Sequence, residues 1–124
     1  MPPPRMRLWG LVLDAPDAQQ LAAFYERLLG WPREQDEPDW VKLGSPDGGT
    51  GLSFQSEPAY QRPRWPTQPP DQQMMIHLDI RVDDLERAGE HALAAGAVLA
   101  EFQPQQDVRV YLDPAGHPFC LFEH

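Results

Sequence analysis

Apolar side chains recur at helical spacing in the first half of the chain. Across residues 18–29 they return every three or four positions, as in Leu21 and Leu28, which places them on one face of a helix. Asp17 precedes this pattern and suits an N-cap, and Gly30 follows it and suits the left-handed residue that ends a helix. The pattern predicts an amphipathic helix between these two residues.

A second helical pattern covers residues 85–95. Its apolar stripe is built mostly from alanine and leucine. Asp83 or Asp84 precedes it as the N-cap, and Gly96 ends it. We expect a second helix with a narrower buried face.

Shorter stretches alternate apolar and polar residues and are bounded by turn residues, which is typical of strands with one buried face. In the first half, strands are predicted at about 8–14, 31–35, 39–44 and 50–56. In the second half they are predicted at about 74–82, 98–102, 107–113 and 117–123. Each half therefore has the order β-α-β-β-β.

The two halves align with each other when Asp17 is placed on Asp84. In this repeat alignment Leu52 falls on Phe119, with one residue of slippage at the turn before the last strand. We predict an α+β fold of two tandem βαβββ modules within a single domain, residues 1–124. Module one covers about 7–56 and module two about 74–123.

A proline-rich segment, residues 57–71, separates the modules. Five of the chain's 15 prolines lie between Pro58 and Pro70, and this density excludes a central strand or a helix interior. The segment is long enough to cross a cavity mouth. Because Tyr60 and Trp65 are costly to leave in water, we expect one of them to pack near Trp40 or Tyr111.

Composition narrows the partners and the compartment. A net charge of −9 would repel nucleic acid and an anionic membrane surface, and no apolar run reaches the ~20 residues that a membrane span needs. The single cysteine excludes an internal disulfide and a cysteine-rich zinc motif. No apolar segment of a secretion signal follows the N-terminal arginines. We expect a cytoplasmic protein without nucleic-acid or membrane partners.

Two motifs stand out against this background: Phe24-Tyr25 followed by Leu29-Gly30, and the turn Asp113-Pro114-Ala115-Gly116. Together with the tandem modules, they resemble the vicinal oxygen chelate superfamily of glyoxalases, bleomycin resistance proteins and extradiol dioxygenases. The nearest resemblance is to the bacterial glyoxalase-like domain group. It implies a curved sheet in each module, with the helix outside and the ligand inside.

The resemblance also implies four metal-ligand positions, commonly histidine and glutamate in each module. Here those positions are Gly10, Ser53, His77 and Cys120. Glycine offers no donor, serine is a poor one, and Cys120 would have to bind as a thiolate. Because a metal site needs at least three good donors, we expect no metal cofactor; a divalent metal is the alternative.

Strand alternation predicts which side chains line the cavity. If Val108 and Val110 pack under the helix, their neighbours face the ligand. The predicted ligand-binding residues, with polar groups set among aromatic walls, are Trp40, Gln55, His77, Asp79, Arg109, Tyr111, Cys120 and Phe122. Such a lining is typical of a small-molecule pocket.

Several of these residues have a second interpretation. His77 and Asp79 could form a surface pair, line the pocket or bind a metal. Cys120 could be an inert, buried side chain. Trp40 and Trp65 could fill the core or a dimer interface.

Three functions follow, and whether the chain is an enzyme stays open among them. The first is a metal-free glyoxalase or bleomycin-resistance type of protein that binds an unidentified small molecule, with Arg109 attracting an anionic group. The second is a metal-dependent lyase, isomerase or dioxygenase of the glyoxalase type, and the third is a non-catalytic interaction module. Exposed edge strands and the resemblance imply a homodimer.

Overall fold

The computed structural model describes residues 2–123, and each half contains one helix and four strands in the same order. The first half contains β1 (Gly10–Ala15), α1 (Ala18–Leu29), β2 (Arg33–Glu37), β3 (Trp40–Leu43) and β4 (Gly51–Ser56). The second half contains β5 (Leu78–Arg81), α2 (Leu85–Ala95), β6 (Val98–Leu99), β7 (Val108–Leu112) and β8 (Pro118–Phe122). The predicted α+β fold of two tandem βαβββ modules is confirmed.

Each module forms its own four-stranded sheet. The strand orders are β1-β4-β3-β2 and β5-β8-β7-β6. In both sheets the first and last strands of the module pair in parallel, and the other pairs are antiparallel. The chain divides into two compact units with the boundary between Glu57 and Pro58. None of the helices among residues 2–123 is long and apolar enough to span a membrane.

The helices begin and end where the sequence predicts. The Asp17 side chain accepts a hydrogen bond from the Gln19 amide, and Asp84 accepts one from the Arg87 amide. Each bond satisfies an amide that the first helical turn leaves without a partner. Gly30 ends α1 in the left-handed conformation at φ 71°, which glycine adopts at no steric cost.

The two helices bury different amounts of side chain. Helix α1 buries the large residues Leu21, Phe24 and Tyr25, and the Tyr25 ring stacks on Phe54 of β4 with centroids 5.3 Å apart. Helix α2 buries only Gly89, Ala92 and Ala95. The small residues of α2 therefore leave room for a large side chain from the sheet beneath it.

Tyr111 of β7 occupies that room. A Cβ atom at Gly89 would lie 2.3 Å from the Tyr111 hydroxyl, so the glycine allows the ring to pass under the helix. The Tyr111 ring also stacks on Phe119, with centroids 5.8 Å apart. Tyr111 is thus part of the core between α2 and its sheet.

The repeat alignment holds for the first and last strands of the modules. Leu11 pairs with Leu52 in the first sheet. Leu78 pairs with Phe119 in the second. Because the repeat alignment places Leu11 on Leu78 and Leu52 on Phe119, the two pairs are equivalent.

The third strands depart from the repeat alignment. Val41 pairs with Phe54 in the first sheet, and Arg109 pairs with Leu121 in the second. Phe54 and Leu121 are equivalent, so Val41 corresponds to Arg109 and not to Val108. The cause is the turn before the last strand, which is one residue shorter in module two. A one-residue change of register moves every side chain of a strand to the opposite face.

The prediction that Val108 and Val110 pack under the helix is therefore wrong. Val110 pairs with Cys120, and Val108 pairs with Phe122, so both valines share the face opposite α2. Arg109 and Tyr111 lie on the helix side instead.

The proline-rich segment folds against the second module. Tyr60 donates a hydrogen bond from its hydroxyl to the Ala115 carbonyl at 2.6 Å, and Arg62 donates one to the Pro114 carbonyl at 2.8 Å. Arg64 and Gln73 form an isolated β-bridge. The segment is thus held on the Asp113–Gly116 turn by its own polar groups.

Candidate functional site

A cavity of about 450 Å³ lies on the open face of the second sheet. Its apolar walls come from Trp65 of the proline-rich segment, Val108 and Val110 of β7, and Phe122 of β8. Its polar groups come from Gln105 and from a cluster of three side chains, His77, Asp79 and Cys120. The cavity lies within one module, and its lining is mostly apolar.

The three-residue cluster follows from the pairing of two parallel strands. Asp79 of β5 is the register partner of Cys120 of β8, and paired residues of neighbouring strands project from the same face. His77 precedes Asp79 by two residues and lies beside it, with His77 Nε2 3.1 Å from Asp79 Oδ1. Donor atoms of all three side chains lie within 4.8 Å of one another.

Cys120 is a protonated thiol at neutral pH. Burial raises its pKa, and the negative charge of Asp79 and the hydrogen bond to that carboxylate raise it further. Because the thiolate is the nucleophilic form of cysteine, the arrangement does not activate Cys120 for covalent chemistry. The thiol instead serves as a hydrogen-bond donor to Asp79.

The sequence predicted that Arg109 and Tyr111 line the pocket. The structure places both side chains on the other face of the sheet. Arg109 donates hydrogen bonds to the backbone carbonyls of Gln106 and Val108 at 2.5 and 3.3 Å. Tyr111 is buried under α2, and that burial raises its pKa. Both predictions assumed that Val108 and Val110 pack under the helix, and the shorter turn before β8 overturns that assumption.

The pocket contains residues that sequence reasoning missed. Val108 and Val110 take the places assigned to Arg109 and Tyr111, and the signal for this was the one-residue slippage at the turn. Trp65 lines the pocket as the expected aromatic residue of the proline-rich segment, but its ring neighbour is Phe102 at 5.5 Å rather than Tyr111. No periodicity in that segment could have identified this partner.

Trp40 and Gln55 lie in the first module, on the face of its sheet opposite α1. Trp40 pairs with Gln55 across β3 and β4. The Trp40 indole N–H donates to Gln35 Oε1 at 2.7 Å, and the Gln55 amide donates to Asp14 Oδ1 at 2.8 Å. Both polar groups have partners within their own module.

The metal-ligand positions of the first module do not fit a metal ion. Gly10 has no side chain, and Ser53 is buried beside Lys42, its register partner. The Lys42 ammonium lies 3.6 Å from the centre of the Trp9 ring and 3.4 Å from Glu34 Oε1. The four-ligand set implied by the resemblance is therefore incomplete in this chain.

Comparisons with known proteins agree with this architecture. A similar solved structure is a glyoxalase/bleomycin resistance protein/dioxygenase family enzyme from Burkholderia phytofirmans PsJN, with 20% identity, a TM-score of 0.74, and coverage of 95% of this chain and 98% of that one. A glyoxalase family protein from Enterococcus faecalis is 19% identical, with a TM-score of 0.68 over 92% of this chain and 94% of that one. A glyoxalase/dioxygenase from Nostoc punctiforme is 21% identical, with a TM-score of 0.66 over 93% and 88%.

A search of curated protein sequences finds no significant match. The profile of the Glyoxalase-like domain family matches residues 10–122, which span all ten helices and strands described above. The chain therefore belongs to the Glyoxalase-like domain family, within the vicinal oxygen chelate superfamily.

Proposed function

We propose that this protein binds a small organic molecule in the pocket of its second module. The observation that carries the proposal is the open cavity of about 450 Å³ with apolar walls and a cluster of polar groups at one end. Ligand pockets have volumes of about 300–1,000 Å³ and combine apolar walls with a few placed polar groups. A binding or sequestering role, as in resistance-type members of the superfamily, needs no further machinery.

The lining suggests the chemistry of the ligand. Trp65 and Phe122 offer flat apolar surfaces, while Asp79 and His77 offer hydrogen-bond partners. Because Arg109 lies on the other face of the sheet, the anionic ligand expected from the sequence loses its positive partner. The carboxylate of Asp79 favours instead a neutral or cationic molecule with a planar apolar part.

The second candidate is a metal-dependent lyase, isomerase or dioxygenase of the glyoxalase type. The cluster of His77, Asp79 and Cys120 favours it, whereas the replaced ligands Gly10 and Ser53 count against the metal set that such enzymes share. The pocket proposal does not depend on a metal. A non-catalytic interaction module is the third candidate, and it would leave the cavity without a ligand.

A ligand-observed NMR screen of small aromatic and cationic fragments tests the proposal. Val108 and Arg109 are neighbours on β7 that lie on opposite faces, so they provide a matched pair of variants. Val108→Trp narrows the cavity and is expected to weaken every pocket hit at least tenfold. Arg109→Ala is expected to leave the same hits unchanged.

The opposite pattern would refute the pocket assignment. Fragments that bind Val108→Trp as tightly as the unaltered protein would lie elsewhere. A screen without any hit would favour the interaction module. Circular dichroism on both variants establishes that each is folded before binding is compared.

A further inference from the structure

A second, smaller cavity of about 220 Å³ lies at one end of the first sheet, beside the turn that joins β3 to β4. Its charged groups are Arg7, Glu34 and Lys42, and its aromatic wall is Trp9. Ser45 and four glycines complete the lining. Because pockets for drug-sized ligands measure about 300–1,000 Å³, this cavity suits a ligand of only a few atoms.

Lys42 is a buried charge in the wall of this cavity. Only 5% of the residue is exposed, and lysine is almost never buried to this extent without a partner. Its ammonium lies 3.6 Å from the centre of the Trp9 ring and 3.4 Å from Glu34 Oε1. The second distance exceeds the about 2.7–2.9 Å of a charge-assisted hydrogen bond. The ammonium, which has three N–H donors, therefore has capacity for a closer oxygen atom.

Gly51 provides the space that Lys42 occupies. A Cβ atom at Gly51 would lie 2.9 Å from Lys42 Cε and 2.9 Å from the Leu43 carbonyl oxygen. A larger residue at this position would therefore displace the lysine side chain. The glycine on β4 and the indole of Trp9 together hold the ammonium at the cavity.

Arg7 supplies a second cation beside the same indole. Its guanidinium carbon lies 5.4 Å from the centre of the Trp9 ring, and the guanidinium donates a hydrogen bond to the Gly48 carbonyl. A guanidinium has five N–H donors, so this bond leaves others for a ligand. The lining thus contains two cations and one carboxylate, in a chain whose net charge is −9. This local excess of positive charge favours an anion.

Two carboxylates near the cations differ in how firmly they are held. Asp47 accepts hydrogen bonds within the turn, from the Ser45 hydroxyl and from the Gly49 amide at 2.9 Å. Glu34 reaches Lys42 from β2, and about half of its side chain is exposed, at 51%. Because an exposed ion pair contributes little to stability, an anion from solution can displace Glu34 from the ammonium at small cost.

We propose that Lys42 and Arg7 bind a small oxyanion, a carboxylate or a phosphate group, against the indole of Trp9. Glu34 is the internal competitor of that anion. The inference goes beyond the proposed function, because this cavity lies within the first module and shares no lining residue with the pocket of the second.

Titration of the full chain with acetate and with inorganic phosphate, at constant ionic strength, tests the proposal. With the tryptophan indoles isotopically labelled, the N–H signal of Trp9 reports binding by NMR, and Trp9→Phe assigns it. We expect that signal to shift and to saturate with at least one of the two anions. Lys42→Met should weaken binding at least tenfold, and Arg7→Ala at least threefold.

Two further variants separate anion binding from a purely structural ion pair. Glu34→Gln removes the competing carboxylate and should tighten binding at least threefold, whereas a structural pair predicts no gain in affinity. Arg5→Ala removes an exposed arginine of the same N-terminal segment and should leave the affinity unchanged.

A shift of the Trp9 signal that does not saturate, or equal affinities in Lys42→Met and Arg5→Ala, would overturn the proposal. So would an affinity that Glu34→Gln leaves unchanged. Because Arg7 and Glu34 are exposed, their variants carry the test even if Lys42→Met fails to fold.

Discussion

Gly89 and Tyr111 provide a direct energetic test of the register of β7. A Cβ atom at Gly89 would lie 2.3 Å from the Tyr111 hydroxyl but 3.4 Å from the ring carbon that carries it. Gly89→Ala therefore clashes with the hydroxyl alone. Tyr111→Phe removes that hydroxyl and restores an ordinary contact distance.

The two effects of Gly89→Ala have opposite signs. Alanine in a helix interior is favoured over glycine by about 1 kcal/mol, while overpacking a buried contact costs about 1–3 kcal/mol. With Tyr111 in place, we expect Gly89→Ala to lower the free energy of unfolding by up to about 2 kcal/mol. In the Tyr111→Phe variant, we expect Gly89→Ala to raise the free energy of unfolding by up to about 1 kcal/mol. The coupling energy between the two positions is then about 1–3 kcal/mol.

Urea unfolding of the four proteins, followed by circular dichroism, measures this double-mutant cycle. The free energies of unfolding give the coupling directly if the slopes of the four transitions agree. A gain in stability of the same size in both backgrounds would refute the reasoning. It would mean that Tyr111 does not lie under α2 and that β7 follows the repeat alignment without slippage.

Two further predictions concern Cys120 and assembly. Burial and Asp79 raise the pKa of Cys120, so a smaller fraction of Cys120 is thiolate at pH 8 than of an unperturbed cysteine. Alkylation of Cys120 by iodoacetamide, followed by mass spectrometry, should therefore be slower than that of a free thiol. Asp79→Asn lowers that pKa and should speed the reaction, and an unchanged rate would contradict the role of the carboxylate. We also predict a homodimer, since Val98 and Leu99 of the edge strand β6 leave their apolar side chains exposed. Sedimentation at micromolar concentration should then show a species of twice the 14.1 kDa chain mass, and a single monomeric species would contradict it.

Helix ends and module order could be predicted because they depend on local chemistry. Asp17 and Gly30 act through hydrogen bonds and backbone conformation within one turn of the helix, so their effect is visible in a short stretch of sequence. The equivalence of Leu52 and Phe119 was also visible, because both modules place large apolar residues on the last strand. These features needed no knowledge of distant contacts.

The local sequence could not determine which face of β7 packs against α2. Its residues Val108, Arg109, Val110 and Tyr111 alternate, but valine and tyrosine are both apolar enough to be buried. The choice depends on the length of a turn outside the strand and on the space left by Gly89 in α2. Alternation along a strand shows that its side chains point to two faces. Which face packs against α2 follows only from the residues with which the strand pairs.

The pocket proposal depends on the assignment of Val108 and Val110 to the face opposite α2. Methyl NMR tests that proposal most directly. With the valine methyl groups and the tyrosine rings labelled, addition of a fragment identified in the screen should shift the signals of Val108 and Val110, which line the cavity. The ring signals of Tyr111 on the opposite face should stay in place. Shifts at Tyr111 without shifts at the two valines would contradict the account.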